Sequence, residues 1–576
     1  MRKEGTMNKL MFIGFLFISF ALIGQSNGEV NLNTDYDSSI EKAYRISERP
    51  KQIDTIIPTP TISYPLLSVK YNTGVEVNPI EPAKVVIKDR LPQLYRGYAR
   101  IGVHSDPGAL AEIYYTSLRS RKFIWGAQAK HISSFGGLSD FANSNYDVSR
   151  AKVFGQINQK RYTLKGNLHY NNQGLHYYGF QNPDANRDSI SQRYSDFGIQ
   201  TQFLSHKKDS AQLNYAIGLD YNNYLDQKPA IDSLSKWRAN ENYVAFNSRW
   251  DYTLNREVFA LDFNVKYNDY RYGVEGDTLT NSVDSGFVNQ NTIIQLKPTI
   301  LTQSKDNKFR AEVGFDFTLD FQDGARAHIY PIAEVKYSLF EDLFIPYAGL
   351  KGELKQNTFR SLTRSNEFLL SNINLDNETE AINAFIGMKG TLSKRIGFDI
   401  GAYFSNHKNK ALFVTDTLLS SGNTFNVIYD TINRTKIEGS IYYQVSEKLK
   451  VDAVARYFSY QARNNPFAWN LPQVEIMARG HYNLYDKFLF NLDLNFEGGR
   501  YAQVFDENLE GVKEQDGVFY KPLGFIADVN LGVEYRYNSR ISAFVNFNNL
   551  AAQRYQRWFN YPVRGFQVLG GFTFRF

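Results

Sequence analysis

Beyond residue 93, apolar and polar side chains alternate along one stretch after another. In 258–268, Phe259, Leu261, Phe263, Val265 and Tyr267 interleave with Asp262, Asn264, Lys266 and Asn268. In 488–497, Phe488, Phe490, Leu492, Leu494 and Phe496 interleave with Asn491, Asp493, Asn495 and Glu497. In 525–537, Phe525, Ala527, Val529, Leu531, Val533, Tyr535 and Tyr537 stand against Asp528, Asn530, Glu534 and Arg536. Stretches 211–222 and 449–457 repeat the pattern. A period of two gives a strand one apolar and one hydrated face, so the chain reads as all-β.

Alternation alone suits a soluble sandwich, which buries two apolar faces against each other, as well as a membrane barrel. Three features favour the barrel. The strands run to about ten residues, the span a tilted transmembrane strand needs, whereas globular strands average about five or six. Their apolar faces end in Tyr, Phe or Trp, as interfacial girdles do. Short and long connections also take turns along the chain. The short ones are 119–122, 159–161, 206–210, 255–257, 305–308, 341–342, 393–395, 446–448, 485–487 and 538–540. Between them lie loops that read as polar and rich in Gly and Asn, such as 133–146, 225–241, 273–291, 359–380 and 504–520. Ten turns divide the chain into eleven hairpins, giving a transmembrane antiparallel β-barrel of about 22 strands with its turns facing the periplasm. The sheet must close, because an unpaired backbone edge in hydrocarbon costs several kcal/mol per group.

Composition agrees. Tyr (39) and Phe (43) are over-used, and the mean hydropathy of −0.42 excludes a helical membrane protein but not a barrel, in which only alternate residues meet lipid. The net charge of +6 is scattered, so no nucleic-acid partner is expected. There is no cysteine, which excludes disulfides, thiol catalysis and thiolate metal sites. At the N-terminus, Arg2, Lys3 and Lys9 precede an apolar run from Leu10 to Ile23 and then Gly24–Gly28, so residues 1–28 read as a secretory signal; the run is too short to span a bilayer. The division expected is a signal over 1–28, a proline-containing segment over 29–93 and a barrel over 94–576.

The sequence carries no recognisable catalytic or metal-binding pattern. The eight histidines, His104, His131, His169, His176, His206, His328, His407 and His481, have no metal-ligand spacing. No nucleophile elbow or phosphate loop appears; Gly97, Gly102 and Gly108 read as strand and turn glycines. Neither catalysis nor a cofactor nor a metal is expected. The pairs Tyr114-Tyr115 and Tyr177-Tyr178 read as girdle residues rather than a ligand platform.

The tail adds a resemblance. Gly571-Phe572-Thr573-Phe574-Arg575-Phe576 ends on an aromatic, and Gly571, Phe574 and Phe576 resemble the signal read by the barrel-assembly machinery; Leu569 departs from it. Phe547-Asn548-Asn549-Leu550, Tyr555, Tyr561-Pro562, Gly565 and Gly570-Gly571 resemble the last two strands of TonB-dependent receptors over about 35 positions. That resemblance implies a 22-stranded outer-membrane barrel, solute transport, and a plug domain ahead of the barrel. Only residues 29–92 precede the barrel here, a stretch too short for that plug. Within it, Asp54, Thr55, Ile56 and Ile57 resemble the family's TonB-contacting box, although Pro58 and Pro60 depart from it and fit a plain linker. A barrel this wide needs its lumen filled, by the N-terminal segment, by long loops such as 359–380 dipping inward, or by a protein partner. Asp220, Asp262, Lys266, Asp452, Arg456, Asp493, Glu497, Asp528, Glu534 and Arg536 are the lumen-facing candidates, able to pair across a filled lumen or to stand as solvated wall. Solute transport or binding is the leading expectation, with outer-membrane lipid around the barrel. The alternative is an accessory barrel of an assembly, secretion or surface-display complex.

Overall fold

The computed structural model describes residues 94–576 apart from Arg119, 207–212, 228–237, 274–286, Leu419, Ser421 and Glu447. The proposed signal, the 29–93 segment and the box residues Asp54, Thr55, Ile56 and Ile57 lie outside the described residues.

Alternating β-branched, aromatic and polar residues form strands of 8 residues (Gly97–His104) to 23 residues (Thr424–Ser446). They join in one 22-stranded sheet, each antiparallel to its neighbour in sequence. The first strand, Gly97–His104, pairs with the last, Gln567–Arg575, from Tyr98↔Arg575 to His104↔Leu569. The barrel is therefore closed and has no free edge. Among the described residues, the short connections anticipated from sequence join consecutive barrel strands on one rim, as between Arg238–Leu254 and Glu257–Gly273. At Tyr485-Asp486 both central residues take positive φ, 55° and 57°, the mirror-image turn that matches strand twist.

The two faces of the wall differ in chemistry. Ile101, Val153, Leu219, Ile386, Ile400 and Ile437 project outward and are exposed. Near the turn rim an outward aromatic ladder runs across neighbouring strands: Tyr162 to Phe203 at 5.0 Å, Phe203 to Tyr215 at 5.8 Å, Tyr215 to Trp250 at 5.2 Å. Leaving such a belt in water would cost about 25 cal/mol per Å². The belt needs hydrocarbon, and the girdle marks its interface. The chain is a membrane-spanning barrel.

The closing seam shows why particular residues stand there. A Cβ on Gly571 would lie 2.0 Å from the Ile101 carbonyl oxygen and 2.8 Å from the Phe544 ring. The space is taken by Phe544, whose ring supports the buried Arg100 guanidinium 3.6 Å from its centroid. On the outer face Phe572, Phe574 and Phe576 are exposed, with Phe574 and Phe576 stacked at 5.9 Å.

On the other rim the loops are long and folded. They include a small sheet (Arg500–Gln503, Lys513–Gln515, Val518–Leu523) and one helix, Phe359–Ser365, an element the all-β reading did not foresee.

Candidate functional site

The 356–377 loop, between the strands Ile345–Lys355 and Glu378–Ser393, turns into the barrel mouth. Its composition explains why. Phe359, Leu362, Phe368, Leu369, Leu370, Ile373 and Leu375 need a dry surface, and all seven are buried. Expecting this stretch to be a polar, Gly- and Asn-rich loop was therefore wrong: its apolar residues make it a core segment.

The helix begins in a capping box. The Ser361 amide donates to Thr358 Oγ1 at 3.0 Å, and the Thr358 amide donates to Ser361 Oγ at 2.9 Å. Two further helix amides, of Phe359 and Arg360, donate to the buried carboxylate of Glu241 on the wall strand Arg238–Leu254. A negative charge there also suits the helix dipole. Beside it, Arg360 clamps Asp196 in bidentate fashion, Nε and one terminal nitrogen both at 2.9 Å, and Arg364 reaches the same carboxylate at 3.0 Å. Asp196 lies on the strand Ser191–Ser205 with its side chain 5% exposed. One wall carboxylate thus holds two loop cations.

Aromatic residues of the wall complete the socket. Phe359 meets the rings of Tyr194, Tyr224 and Tyr270 at centroid distances of 6.3, 5.6 and 5.3 Å. Their hydroxyls find polar partners: Tyr194 donates to the Glu367 carbonyl at 3.2 Å, Tyr270 donates to the Ser371 carbonyl, and Thr363 donates to the Tyr224 hydroxyl at 2.8 Å. Further along, Asn289 donates to the Leu375 carbonyl at 3.2 Å and Asn291 to Asn377 Oδ1 at 2.7 Å. Hydroxyls, amides and carboxylates of the wall thus meet named partners on the loop, so the docked position is specific as well as apolar.

Other loops meet this one. Phe425, near the tip of the longest hairpin (Ile396–Asp416, Thr424–Ser446), exchanges backbone hydrogen bonds with the 356–377 loop: the Leu370 amide donates to the Phe425 carbonyl and the Phe425 amide to the Phe368 carbonyl, both at 2.9 Å. Phe368 stacks on Tyr561 of the 549–566 loop at 3.6 Å, and Tyr178 sits edge-on to Tyr561 at 4.9 Å. Tyr177 donates to the Leu369 carbonyl at 3.0 Å. Tyr177 and Tyr178 are therefore parts of this loop junction and not girdle residues. Asp376, in the same loop, has its carboxyl pKa raised, first by burial and then, against a backbone hydrogen bond at Asn377, by neighbouring Asp323.

Away from the junction, the residues singled out in the sequence lie on the wall face opposite the apolar belt, and they pair sideways with adjacent strands. Asp262 faces Arg249 at 3.2 Å and stands across from Lys297 in register. Asp220 accepts from Asn247 Nδ2 at 3.1 Å. Arg456 bridges Glu438 at 2.6 Å and Glu475 at 3.3 Å. Asp493 pairs with Arg479 at 3.5 Å, and Asp452 is in register with that same Arg479. Glu534 lies 3.8 Å from Arg536 and 3.9 Å from Arg575. Glu497 accepts from Asn495 Nδ2 at 3.3 Å, Asp528 is in register with Asn495, and Lys266 stands between Ala245 and Ile293. Sequence reasoning missed Asp196, Glu241, Arg360 and Arg364. The two arginines carried a signal, being four apart in an apolar loop; the two acids carried none, since alternating polar residues fill every strand. Among the described residues no group of side chains has metal-binding geometry.

No family model matches the chain, and no curated protein sequence matches it. Solved structures do. The siderophore receptor PirA from Acinetobacter baumannii is similar with a TM-score of 0.63 at 12% identity, over 84% of this chain and 81% of that one. The FrpB iron transporter from Neisseria meningitidis gives 0.62 at 10% identity, over 84% and 82%. The ferripyoverdine receptor of the outer membrane of Pseudomonas aeruginosa gives 0.61 at 12% identity, over 84% and 72%. At these identities the likeness is one of fold. The fold is that of an integral outer-membrane barrel, the architecture the C-terminal resemblance implied.

Proposed function

We propose that this chain is an outer-membrane transport barrel whose external opening is closed by its own 356–377 loop. The observation that carries this reading is the depth and specificity of the loop's seat: Arg360 and Arg364 on Asp196, the helix N-terminus on Glu241, and Phe359 among three tyrosines. An ornamental surface loop has no need of charge pairs and apolar burial inside a polar wall. The seat holds the loop by contacts that can all be broken without touching a single barrel strand pairing, which is what a gate requires. Solute transport also agrees with the kind of protein found among the structural neighbours, which are receptors and transporters for siderophores and iron. Coupling to TonB through Asp54–Ile57 is part of the same proposal, as is insertion through Gly571, Phe574 and Phe576.

The test is electrical. Full-length protein in a planar bilayer is expected to be nearly silent, and a variant with residues 359–375 replaced by a short Gly-Ser linker is expected to pass large, steady current steps. A loop-replaced barrel that folds, by heat-dependent gel mobility, yet stays silent would overturn gating by this loop. Stoichiometric recovery of a second protein with the intact barrel from native membranes would favour the accessory reading instead.

A further inference from the structure

The wall is not uniform in charge. Strands 488–498 and 526–536 present Asp493, Glu497, Asp528 and Glu534. The strands Phe123–Ser134, Tyr146–Asn158 and Tyr162–His176 present cations on the corresponding face: Lys130 is in register with Arg150, Lys152 with Gln128 and His169, and Lys165 with Gln156 and Gln202. Next to them the wall is hollowed. A recess of about 710 Å³ is lined by Lys152, Lys165, Gln200, Gln202, Asp220 and Asn247, among others. Small residues open it: Gly218 has no atom nearer than 3.6 Å to where its Cβ would be, and Ala216 is its neighbour on the same face.

The partners inside the recess leave its lysines free. Arg249 is held by Asp251 at 3.0 Å and by Asp262 at 3.2 Å, and Asp220 takes its hydrogen bond from Asn247. Lys152 and Lys165 are exposed to the recess and have no ion-pair partner among the described residues. Elsewhere along the polar face of the wall, cations such as Arg456, Lys297 and Lys410 sit against carboxylates. Two unneutralised ammonium groups facing one cavity, flanked by amide donors and acceptors, make an oxyanion site with hydroxyl recognition around it. A volume of this size matches small polar solutes.

Resting on the transport reading, we propose that the recess bounded by Lys152 and Lys165 binds the solute, a hydroxyl-rich molecule carrying a phosphate or carboxylate group. Lys152 and Lys165, four residues apart along the ladder, hold the recess positive so that either ammonium can take the oxyanion, and Gln200 and Gln202 take the hydroxyls. Glucose 6-phosphate is a suitable probe, measured by equilibrium dialysis against the intact full-length protein in detergent. Saturable binding is expected, with inorganic phosphate competing and glucose failing to compete. The double variant Lys152→Gln/Lys165→Gln is expected to bind about tenfold more weakly or worse. Because both side chains are exposed, its heat-dependent gel mobility should match the parent, and Lys160→Gln, in the turn rim, should bind as the parent does. Equal binding by the double variant, or competition by glucose as strong as by phosphate, would overturn the site. Dialysis does not depend on current through the pore, so a failure here and a failure of the gate are separate results.

Discussion

Phe359 has no solvent exposure, and its ring fills the space between Tyr194, Tyr224 and Tyr270. Phe359→Ala should therefore cost about 3–5 kcal/mol, borne by loop docking rather than by the barrel. Limited trypsin digestion should read this directly: Arg360 and Arg364 are protected while clamped on Asp196, and the variant should be cut there with the barrel left intact. Asp196→Ala should act in the same direction, because it takes the buried carboxylate away from Arg360, whose side chain is 20% exposed, and from the more exposed Arg364. Asp376 sets a pH dependence of known sign. Its folded pKa is raised above the ordinary 3.8, so the docked loop binds a proton more tightly than the free loop does. Its contribution to docking is thus complete below 3.8 and is lost as pH rises through the raised value. Channel openings should become more frequent as pH rises above 3.8, and Asp376→Asn should flatten that slope.

At the scale of elements, the strands and turns were legible, and so was an inward course for 359–380, but the seat that this loop takes was not. Turns such as Asn255-Arg256 and Tyr485-Asp486 interrupt a period-two pattern that lipid and lumen impose on every residue between them, so local sequence is enough. The 356–377 loop obeys no such period. Its seven buried apolar residues are scattered among Ser, Asn and Arg, and only contacts with distant strands, at Asp196, Glu241 and Tyr561, decide where they go. The wall acids are hidden for the opposite reason: Asp196 and Glu241 sit in alternation like every other polar residue. The seam is an element whose chemistry can be tested at one atom. Gly571→Val would drive a side chain into the Ile101 carbonyl and the Phe544 ring. The first and last strands should then fail to pair, and the variant should lose the heat-dependent mobility of a folded barrel. Ile101→Val, on the lipid face beside it, should keep that mobility.

For the whole molecule, charge pairs of the wall such as Arg456 with Glu438 and Glu475, and Asp493 with Arg479, run sideways between neighbouring strands and tie each strand to the next. Such a wall leaves the loop as the moving part, and the absence of cysteine allows that division to be tested cleanly. Ser371, in the loop, donates a hydrogen bond to Asp226, at the end of the strand Leu213–Asp226. Asp226→Cys/Ser371→Cys introduces two thiols at a contact that already exists, and a bond between them ties the loop to the wall. Under oxidising conditions the pair should abolish the rare spontaneous openings of the parent protein, and a reductant should restore them within the same recording. Each single cysteine should behave as the parent does in both conditions. Openings that persist in the oxidised double variant would mean that current takes a route the 356–377 loop does not cross.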